Sequence, residues 1–397
     1  MTQAGGPLDG ITVIDLGQIY NAPYATLLMA LAGARVIKVE PRGGENLRGR
    51  GRAGASAPFA MLNSNKQAVT LNLKHPEGAD LLERLAGRAD VLVENFRPGV
   101  MAGLGLSPDR LRAANPRLVY AAGSGFGSSG PYRNYPAMDL TIQAMSGVMA
   151  VTGFPDREPV KAGPAVGDFA GGIHLYGAIM TALFERERTG RGCYVEVAML
   201  DAIYPSLMSS LGLYFSGTGE APGRTANRHS GLAESPYNVF PASDGYLALI
   251  CVTDAHWSAL TGVMGRPDLA GRADLASRAG RVEHMDEVDE IVRAWTSGRG
   301  KEELAGLLRA ARVPCAPVRE ISEVVTDPHL LERGMLEQID HPQYGPLTVP
   351  HSPLRVGDYR ADLRPSPALG QDNEAVYGGW LGLTGEQLAD LAQREVI

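Results

Sequence analysis

The fold is decided by residues 11–39, which read ITVIDLGQIYNAPYATLLMALAGARVIKV. The segments Ile11–Leu16 and Val36–Val39 are rich in β-branched residues, a composition that favours strands. The apolar run Tyr24–Leu31 between them predicts a helix, with Asn21 as its N-cap and a glycine just past its end. A strand, a helix and a second strand in succession predict a βαβ unit with parallel strands.

The same alternation continues along the chain. Strands are predicted at Ala68–Leu73, Val91–Val93, Arg117–Ala122 and Tyr194–Met199, and helices at Pro76–Ala89 and Asp201–Phe215. A longer helix is predicted from Phe169 to Thr189, with Asp168 as its N-cap and Gly190 just beyond its end. This order of elements predicts an α/β domain with a mainly parallel sheet.

The pattern changes after residue 219. The segment Ser216–His229 is rich in glycine, proline and arginine, and a strand at Tyr246–Val252 and helices from about Asp254 and at Asp286–Ser297 follow. We therefore expect a large domain in residues 1–219, a small domain in 220–320, and a segment 321–397 that returns to the large domain.

Composition narrows the possible functions. The 397 residues carry a formal net charge of -7, which argues against general affinity for nucleic acid or anionic membranes. The three cysteines are scattered, so neither a disulfide framework nor a cysteine metal site is predicted. No basic leader with an apolar run begins the chain, and no stretch has the length of a membrane span. We expect a cytoplasmic protein.

Several catalytic motifs can be excluded as well. The run GFGSSG at 125–130 fits the spacing of a dinucleotide-binding loop, but Pro131 and Pro136 follow it where a helix would have to begin. No P-loop, no metal-binding HExxH and no GxSxG serine elbow occurs, so we expect no bound metal and no permanently bound cofactor.

Two features indicate anion chemistry. Basic residues gather in the first hundred positions, namely Arg42, Arg48, Arg50, Arg52, Lys66, Lys74 and Arg97. Lys74 and Arg97 lie at or just after predicted strand ends, where open α/β sheets bind ligands, so phosphate recognition and a solvated basic face are both open. Asp168 is either a simple helix cap or a catalytic carboxylate, and neighbouring glycines leave it unshielded. The start of a helix would keep it ionised.

A set of fragments then identifies a likeness to a known family. They are Gly10–Leu16, Gly33–Glu40, Asn63–Lys66, Leu71–Lys74, Glu94–Gly99, Gly125–Gly127, Gly130–Tyr132, Gly167–Asp168, Glu187–Gly192 and Pro314–Val318. In this order they resemble the family III CoA-transferases, the CaiB/BaiF group. The resemblance covers nearly the whole chain.

The resemblance implies a function. Asp168 would attack an acyl-CoA, forming a mixed anhydride and then an aspartyl-CoA thioester, before CoA passes to a free carboxylic acid. CoA, as a substrate, would contact Ile19, Tyr20, Arg42, Leu71, Asn72, Lys74, Asn95, Phe96, Arg97 and Asp139. The family's fold implies a Rossmann-like large domain whose parallel sheet is built from both termini, a smaller α+β domain and an interlocked homodimer.

The chain departs from the family pattern in places. Pro41 stands where many members have arginine, with Arg42 next. The related α-methylacyl-CoA racemases have a histidine where this chain has Met138, which cannot carry a proton, so racemisation is the less favoured alternative. A catalytically silent acyl-CoA-binding protein is a third hypothesis. Arg224, Arg228 and His229 suggest an acceptor with a second carboxylate, such as succinate.

Overall fold

The computed structural model describes residues 5–50, 56–216 and 223–397. Arg52 and part of the segment Ser216–His229 lie outside these ranges. The chain forms two compact units. The first unit comprises Met1–Ile142, Pro164–Tyr204 and Val325–Ile397, and the second comprises Gln143–Gly163 and Pro205–Val324. The small unit therefore starts before residue 220 and takes in an earlier segment, because membership follows packing rather than local composition.

A six-stranded, entirely parallel sheet forms the centre of the first unit. Its strands, in the spatial order β3-β2-β1-β4-β5-β6, are β1 (Thr12–Asp15), β2 (Arg35–Glu40), β3 (Gln67–Thr70), β4 (Val91–Glu94), β5 (Val119–Ser124) and β6 (Tyr194–Ala198). This order is that of doubly wound, Rossmann-like sheets, which change winding direction between the first and fourth strands. The predicted α/β class is confirmed.

Helices cover both faces of this sheet. They are α1 (Asn21–Leu31), α2 (Ala57–Leu62), α3 (Pro76–Ala86), α4 (Val100–Gly103), α5 (Pro108–Ala114), α6 (Asp139–Met145, which starts in this unit), α8 (Val166–Thr189), α9 (Met199–Ile203), α17 (Pro328–Glu332) and α18 (Gly385–Gln393). Along β4, Val91 and Val93 pack with Leu175 of α8, whereas Leu92 packs on the opposite face with Leu82 of α3. Burial on both faces is typical of parallel sheets.

The C-terminal segment joins the first unit by packing rather than by adding a strand to the parallel sheet, whose six strands all lie between Thr12 and Ala198. It contains a hairpin of β10 (Leu336–His341) and β11 (Gly345–Pro350). Tyr377, Val396 and Ile397 enter the core beside α3. The expectation of a sheet built from both termini is thus wrong in this detail, because proline-rich residues occupy the return path.

Two predicted helix caps are also wrong by a small shift. Helix α1 starts at Asn21 itself, with Tyr20 at the N-cap position. Helix α8 starts at Val166, so Asp168 lies inside its first turn, and Ala165 takes the N-cap position. Cap positions are hard to locate from sequence when a side chain elsewhere in the chain satisfies the helix start, as Asp139 does for α8.

A buried polar network crosses the β1–β2 half of the sheet. The Lys66 ammonium lies 2.9 Å from Asp15 Oδ2, and the side chains of both residues are fully buried. It also donates to the Thr26 hydroxyl and the Asn63 amide oxygen. Burial lowers the pKa of Lys66 to about 8, against the opposing attraction of Asp15. Lys66 therefore serves the fold and is not free to bind a phosphate.

The second unit is an α+β structure. Its antiparallel sheet contains β7 (Tyr237–Ala242), β8 (Gly245–Ile250) and β9 (Cys315–Pro317). Its helices are α7 (Val148–Val151), α10 (Met208–Ser216), α11 (Asp254–Val263), α12 (Asp268–Gly271), α13 (Arg278–Glu283), α14 (Met285–Thr296), α15 (Lys301–Ala310) and α16 (Ile321–Val324). Trp257, Phe240 and Leu304 lie in its core. Within the parts of the chain that the structure describes, no helix has the length and apolar character to cross a membrane.

The ion pair predicts a large stability effect. Lys66→Met should destabilise the first unit by about 3–5 kcal/mol, since it leaves the Asp15 carboxylate buried without its main cationic partner. The free energy of unfolding is measured by urea titration, with amide hydrogen exchange in β1 and β2 as the readout. Arg110→Met, which breaks an exposed pair with Glu83, is the matched control and should cost at most about 1 kcal/mol. Equal effects of the two substitutions would contradict the structural role of Lys66.

Candidate active site

One cavity of the first unit lies at the carboxyl ends of the central strands. Its volume is about 410 Å³. Gln18 and Ile19 follow β1, Asn95 to Arg97 follow β4, and Gly123 and Ser124 end β5. This is the crevice where the winding of the sheet reverses, which is the general ligand site of open α/β sheets.

The turn after β1 forms one wall and is held from three sides. Asn95 accepts a hydrogen bond from Gln18 N at 2.8 Å and donates one to Gln18 O at 2.9 Å. Glu45 accepts from Ile19 N, and the Lys38 ammonium donates to Gly17 O. Ile19 has a φ of 64°, a strained value for a β-branched residue that this surrounding network maintains.

The turn after β4 forms a second wall. Glu94 Oε2 accepts a hydrogen bond from Phe96 N at 2.7 Å, and Tyr120 donates its hydroxyl proton to Glu94 Oε1 at 3.3 Å. Burial raises the pKa of Glu94 to about 7 despite these two donors. Glu94 thus shapes the turn that presents Phe96 and Arg97 to the cavity.

Asp168 lies in the cavity wall and is only 8% exposed. The Asp139 carboxylate accepts hydrogen bonds from Gly167 N at 2.7 Å and Asp168 N at 3.3 Å, so it caps α8 from outside the helix. Burial, and secondly the charge of Asp139, raise the pKa of Asp168 to about 7. The expectation that the helix start keeps Asp168 fully ionised is therefore wrong, because desolvation outweighs the helix dipole.

The Asp168 carboxylate is well suited to act as a nucleophile. Within the described residues no donor hydrogen-bonds to its side-chain oxygens, although its backbone carbonyl accepts a bond from Asn21. A carboxylate that water and donors solvate poorly keeps its lone pairs available for attack. Met138, the position that decides against a racemase, lines the same cavity.

Three arginines supply positive charge to this cavity. Arg50, Arg97 and Arg133 line the cavity, and within residues 5–50, 56–216 and 223–397 none of them forms an ion pair. The neighbouring Arg48 differs, because Glu40 binds its guanidinium in a bidentate pair. Unpaired guanidinium groups beside a cavity favour phosphates or carboxylates as ligands.

The residues predicted to contact CoA fall into two groups. The cavity is lined by Ile19, Asn95, Phe96 and Arg97, together with the proposed nucleophile Asp168. Asp139 binds the backbone of α8 next to Asp168. The others, Tyr20, Arg42, Leu71, Asn72 and Lys74, are not among the residues that line the cavity.

Apart from Tyr20, which follows the central strand β1, the second group lies toward the outer strands. Leu71 is 1% exposed and packs in the core, and Tyr20 stacks on Phe169. Asn72 bonds the C-terminal backbone at Val396, and Arg42 forms an exposed pair with Glu395. The spatial order of the strands separates Leu71, Asn72 and Lys74 from the cavity, since they follow the edge strand β3 whereas β4 is central.

The proposed acceptor residues of the second unit are already paired. The Arg224 guanidinium donates to the carbonyls of Phe154 and Arg157. Arg228 binds both Asp286 and Asp289. His229 accepts the backbone N–H of Gly231. These contacts explain Arg224 and Arg228 as structural side chains and leave the cavity arginines as the better candidates for a second carboxylate.

Sequence reasoning missed Asn21 and Arg133 as site residues, and it saw Arg50 only as part of a basic cluster. Arg133 follows the glycine-rich loop after β5, and a loop residue carries no periodic signal. Asn21 was taken for a helix cap. Among the described residues no group of three or more histidine, cysteine or carboxylate side chains could hold a metal ion.

Comparison with known proteins identifies the family. Residues 8–373 match the model of "CoA-transferase family III". The chain is 36% identical to the formyl-CoA:oxalate CoA-transferase of Streptomyces avermitilis, over 100% of both chains. It is 34% identical to the succinate–glutarate CoA-transferase of Agrobacterium fabrum, over 93% of this chain and 94% of the other.

A solved structure gives the same result for the fold. The CaiB/BaiF family protein of Brucella suis superposes with a TM-score of 0.83 at 33% identity, over 95% of this chain and 100% of the other. The family model, the two enzymes and this structure all point to the same family. The chain belongs to CoA-transferase family III.

Proposed function

We propose that the enzyme moves CoA from an acyl-CoA to a free carboxylic acid, with Asp168 as the covalent carrier. The observation that carries this proposal is a buried carboxylate, without hydrogen-bond donors to its oxygens in the described residues, in a cavity that three unpaired arginines also line. Such an exchange conserves the thioester bond energy, so it needs no nucleotide.

The steps balance without any further reactant. An Asp168 oxygen attacks the thioester carbonyl, the C–S bond breaks, and CoA leaves as a thiolate beside an aspartyl mixed anhydride. The thiolate then attacks the aspartyl carbonyl, which expels the donor acid and leaves an aspartyl-CoA thioester. The acceptor carboxylate attacks this thioester, and the released thiolate attacks the acceptor's carbonyl, restoring Asp168.

The walls of the cavity provide for these steps. The turns at Gln18–Ile19 and Asn95–Arg97 would bind the thioester, because backbone positions there are locked by hydrogen bonds before any ligand arrives. Preorganised groups lower the barrier more than groups that must first be ordered. The arginines would hold the phosphates of CoA and the carboxylates that enter and leave.

We propose a dicarboxylic acid as donor or acceptor. The two CoA-transferases compared above are named for oxalate and for succinate and glutarate, all of which are dicarboxylates. A second carboxylate needs a cation that is not already paired, and Arg133 is one that sits in the cavity. Cytoplasmic location remains an expectation from the sequence.

We also propose the interlocked homodimer. Phe184 on α8 is 67% exposed and Phe215 on α10 is 75% exposed, and exposed large apolar side chains of this kind favour a protein partner. Light scattering at nanomolar concentration tests this, and a folded monomer there would contradict it.

Removing the nucleophile tests the mechanism directly. Asp168→Asn should lower turnover by several orders of magnitude with little change in melting temperature, because the side chain keeps its shape and no donor in the described residues depends on its charge. In the native enzyme, acyl-CoA alone should add the mass of CoA to the peptide that contains Asp168, and hydroxylamine should convert the residue to a hydroxamate.

Asp201→Asn is the matched control, since Asp201 is exposed on α9, outside the residues that line the cavity, and should leave turnover unchanged. Near-native turnover of Asp168→Asn, or labelling of Cys193 or Cys251, would refute the covalent role of Asp168.

The raised pKa of Asp168 predicts a pH dependence. Only the ionised carboxylate attacks, so kcat/KM for acyl-CoA should rise with pH through about 7 and level off above it. One pH unit below the pKa, roughly one tenth of the groups are ionised, and the rate should fall about tenfold.

Asp139→Asn tests whether this rise of kcat/KM with pH, the acidic limb of the profile, reports the titration of Asp168. It keeps an oxygen for Gly167 N but removes the charge that helps to raise the pKa of Asp168, so the limb should move to lower pH. The pKa of Glu94 is also about 7, so Glu94→Gln is the control and should leave the limb in place. A limb that vanishes in Glu94→Gln assigns the titration to Glu94 instead.

Neutralising Arg97 tests CoA binding. Arg97→Gln should raise KM for acyl-CoA about 10–100-fold with kcat nearly unchanged, since a charge-assisted contact is worth roughly 1.5–3 kcal/mol. Steady-state kinetics at low and high salt measure this. Lys74→Gln is the comparison at the edge strand, and the proposed CoA contact there predicts a rise of similar size. An unchanged KM would confine CoA to the cavity.

A further inference from the structure

The first residue of α1 makes an unusual contact with the first turn of α8. Asn21 is 3% exposed, and its Nδ2 donates a hydrogen bond to the backbone carbonyl of Asp168 at 3.3 Å. This carbonyl can only accept, so the amide orientation follows from the contact. Asn21 Oδ1 then has no hydrogen-bond partner in the described residues, although it is buried.

Two glycines provide the space that this side chain occupies. A Cβ atom on Gly171 of α8 would lie 2.2 Å from Asn21 Nδ2, and one on Gly123 of β5 would lie 2.4 Å from Asn21 Oδ1. Real Cβ atoms do not approach other atoms this closely, so a side chain at either position would require the Asn21 amide to move. The glycine after Ala170 therefore serves this packing, whereas the sequence had suggested that it leaves Asp168 unshielded.

The buried Asn21 amide with its unpaired oxygen costs the fold more stability than an apolar side chain in the same place would. A buried hydrogen-bond acceptor without a partner destabilises a fold. An alanine at position 21 would remove the unpaired Asn21 Oδ1 altogether. Unsatisfied groups of this kind are concentrated at functional sites, where local stability is given up for geometry. Asn21 also directly follows the turn of Gln18 and Ile19 that lines the cavity.

We propose that Asn21 is a positioning residue that ties the first turn of α8 to the cavity wall formed by the turn after β1. This inference rests on the proposed role of Asp168. The wall would receive the thioester, and α8 carries the nucleophile, so the Asn21 amide sets the distance between the two reacting groups. A misplacement of about 1 Å at this point costs about a hundredfold in rate without weakening binding.

Three variants separate positioning from space filling. Asn21→Ala removes the hydrogen bond and leaves a void. Asn21→Ala with Gly171→Ala places a methyl group in the void, 2.2 Å from the former position of the amide nitrogen, so it should restore melting temperature. Asn21→Asp keeps the shape but places a negative charge beside the turn of Asp168.

The readouts are kcat, KM and the rate at which acyl-CoA alone adds CoA to Asp168. Asn21→Ala should lower kcat and the labelling rate about 10–100-fold with KM within threefold, as expected for a lost positioning contact. The double variant should recover thermal stability but not kcat. Asn21→Asp should move the acidic limb of kcat/KM to higher pH, because a nearby like charge disfavours ionisation.

Two outcomes would overturn the inference. Asn21→Ala with kcat within threefold of the native enzyme would show that the contact has no role in the reaction. Full recovery of kcat in the double variant would show that Asn21 only fills space. The outcome for Asp168→Asn is independent: an active Asp168→Asn enzyme refutes the proposed function, whereas an inactive one beside a native-like Asn21→Ala refutes this inference alone.

Discussion

The structure around the active site depends on one buried ion pair, between Lys66 and Asp15. Asp15 ends β1 and accepts a hydrogen bond from the backbone N–H of Gly17. Lys66 directly precedes β3 and also donates to the backbone carbonyl of Pro23 in α1. The pair therefore joins a strand, the turn after it and the following helix. Since that turn lines the cavity, charges buried far from solvent determine the shape of the surface that meets the substrate.

Much of the fold could be predicted from the sequence. The β-branched runs and the helix between them predicted β1, α1 and β2 to within a few residues, because periodicity and glycine stops are local properties. The long helix ending at Gly190, where φ is 72°, was equally clear. Its start was not, because the group that caps it, Asp139, lies almost thirty residues earlier in the chain.

The site was only partly predictable, and strand order is the main reason. Arg97 and Lys74 look equivalent in sequence, as basic residues after strands, yet one strand is central and the other is at the edge. Only the three-dimensional order separates them. The prediction that Asp168 is ionised failed for a similar reason. Its position in the helix was visible in the sequence, but its burial beside Asp139 was not.

Positions 21, 123 and 171 share a single volume, and this constrains how such a protein can evolve. A mutation that adds a side chain at 123 or 171 displaces the Asn21 amide, so it is better tolerated once position 21 has become small. The three positions should therefore covary among relatives, with asparagine accompanied by two glycines. Where position 21 is alanine or glycine, the tightest constraint on the other two is removed, and the nucleophile's helix must be held by some other contact.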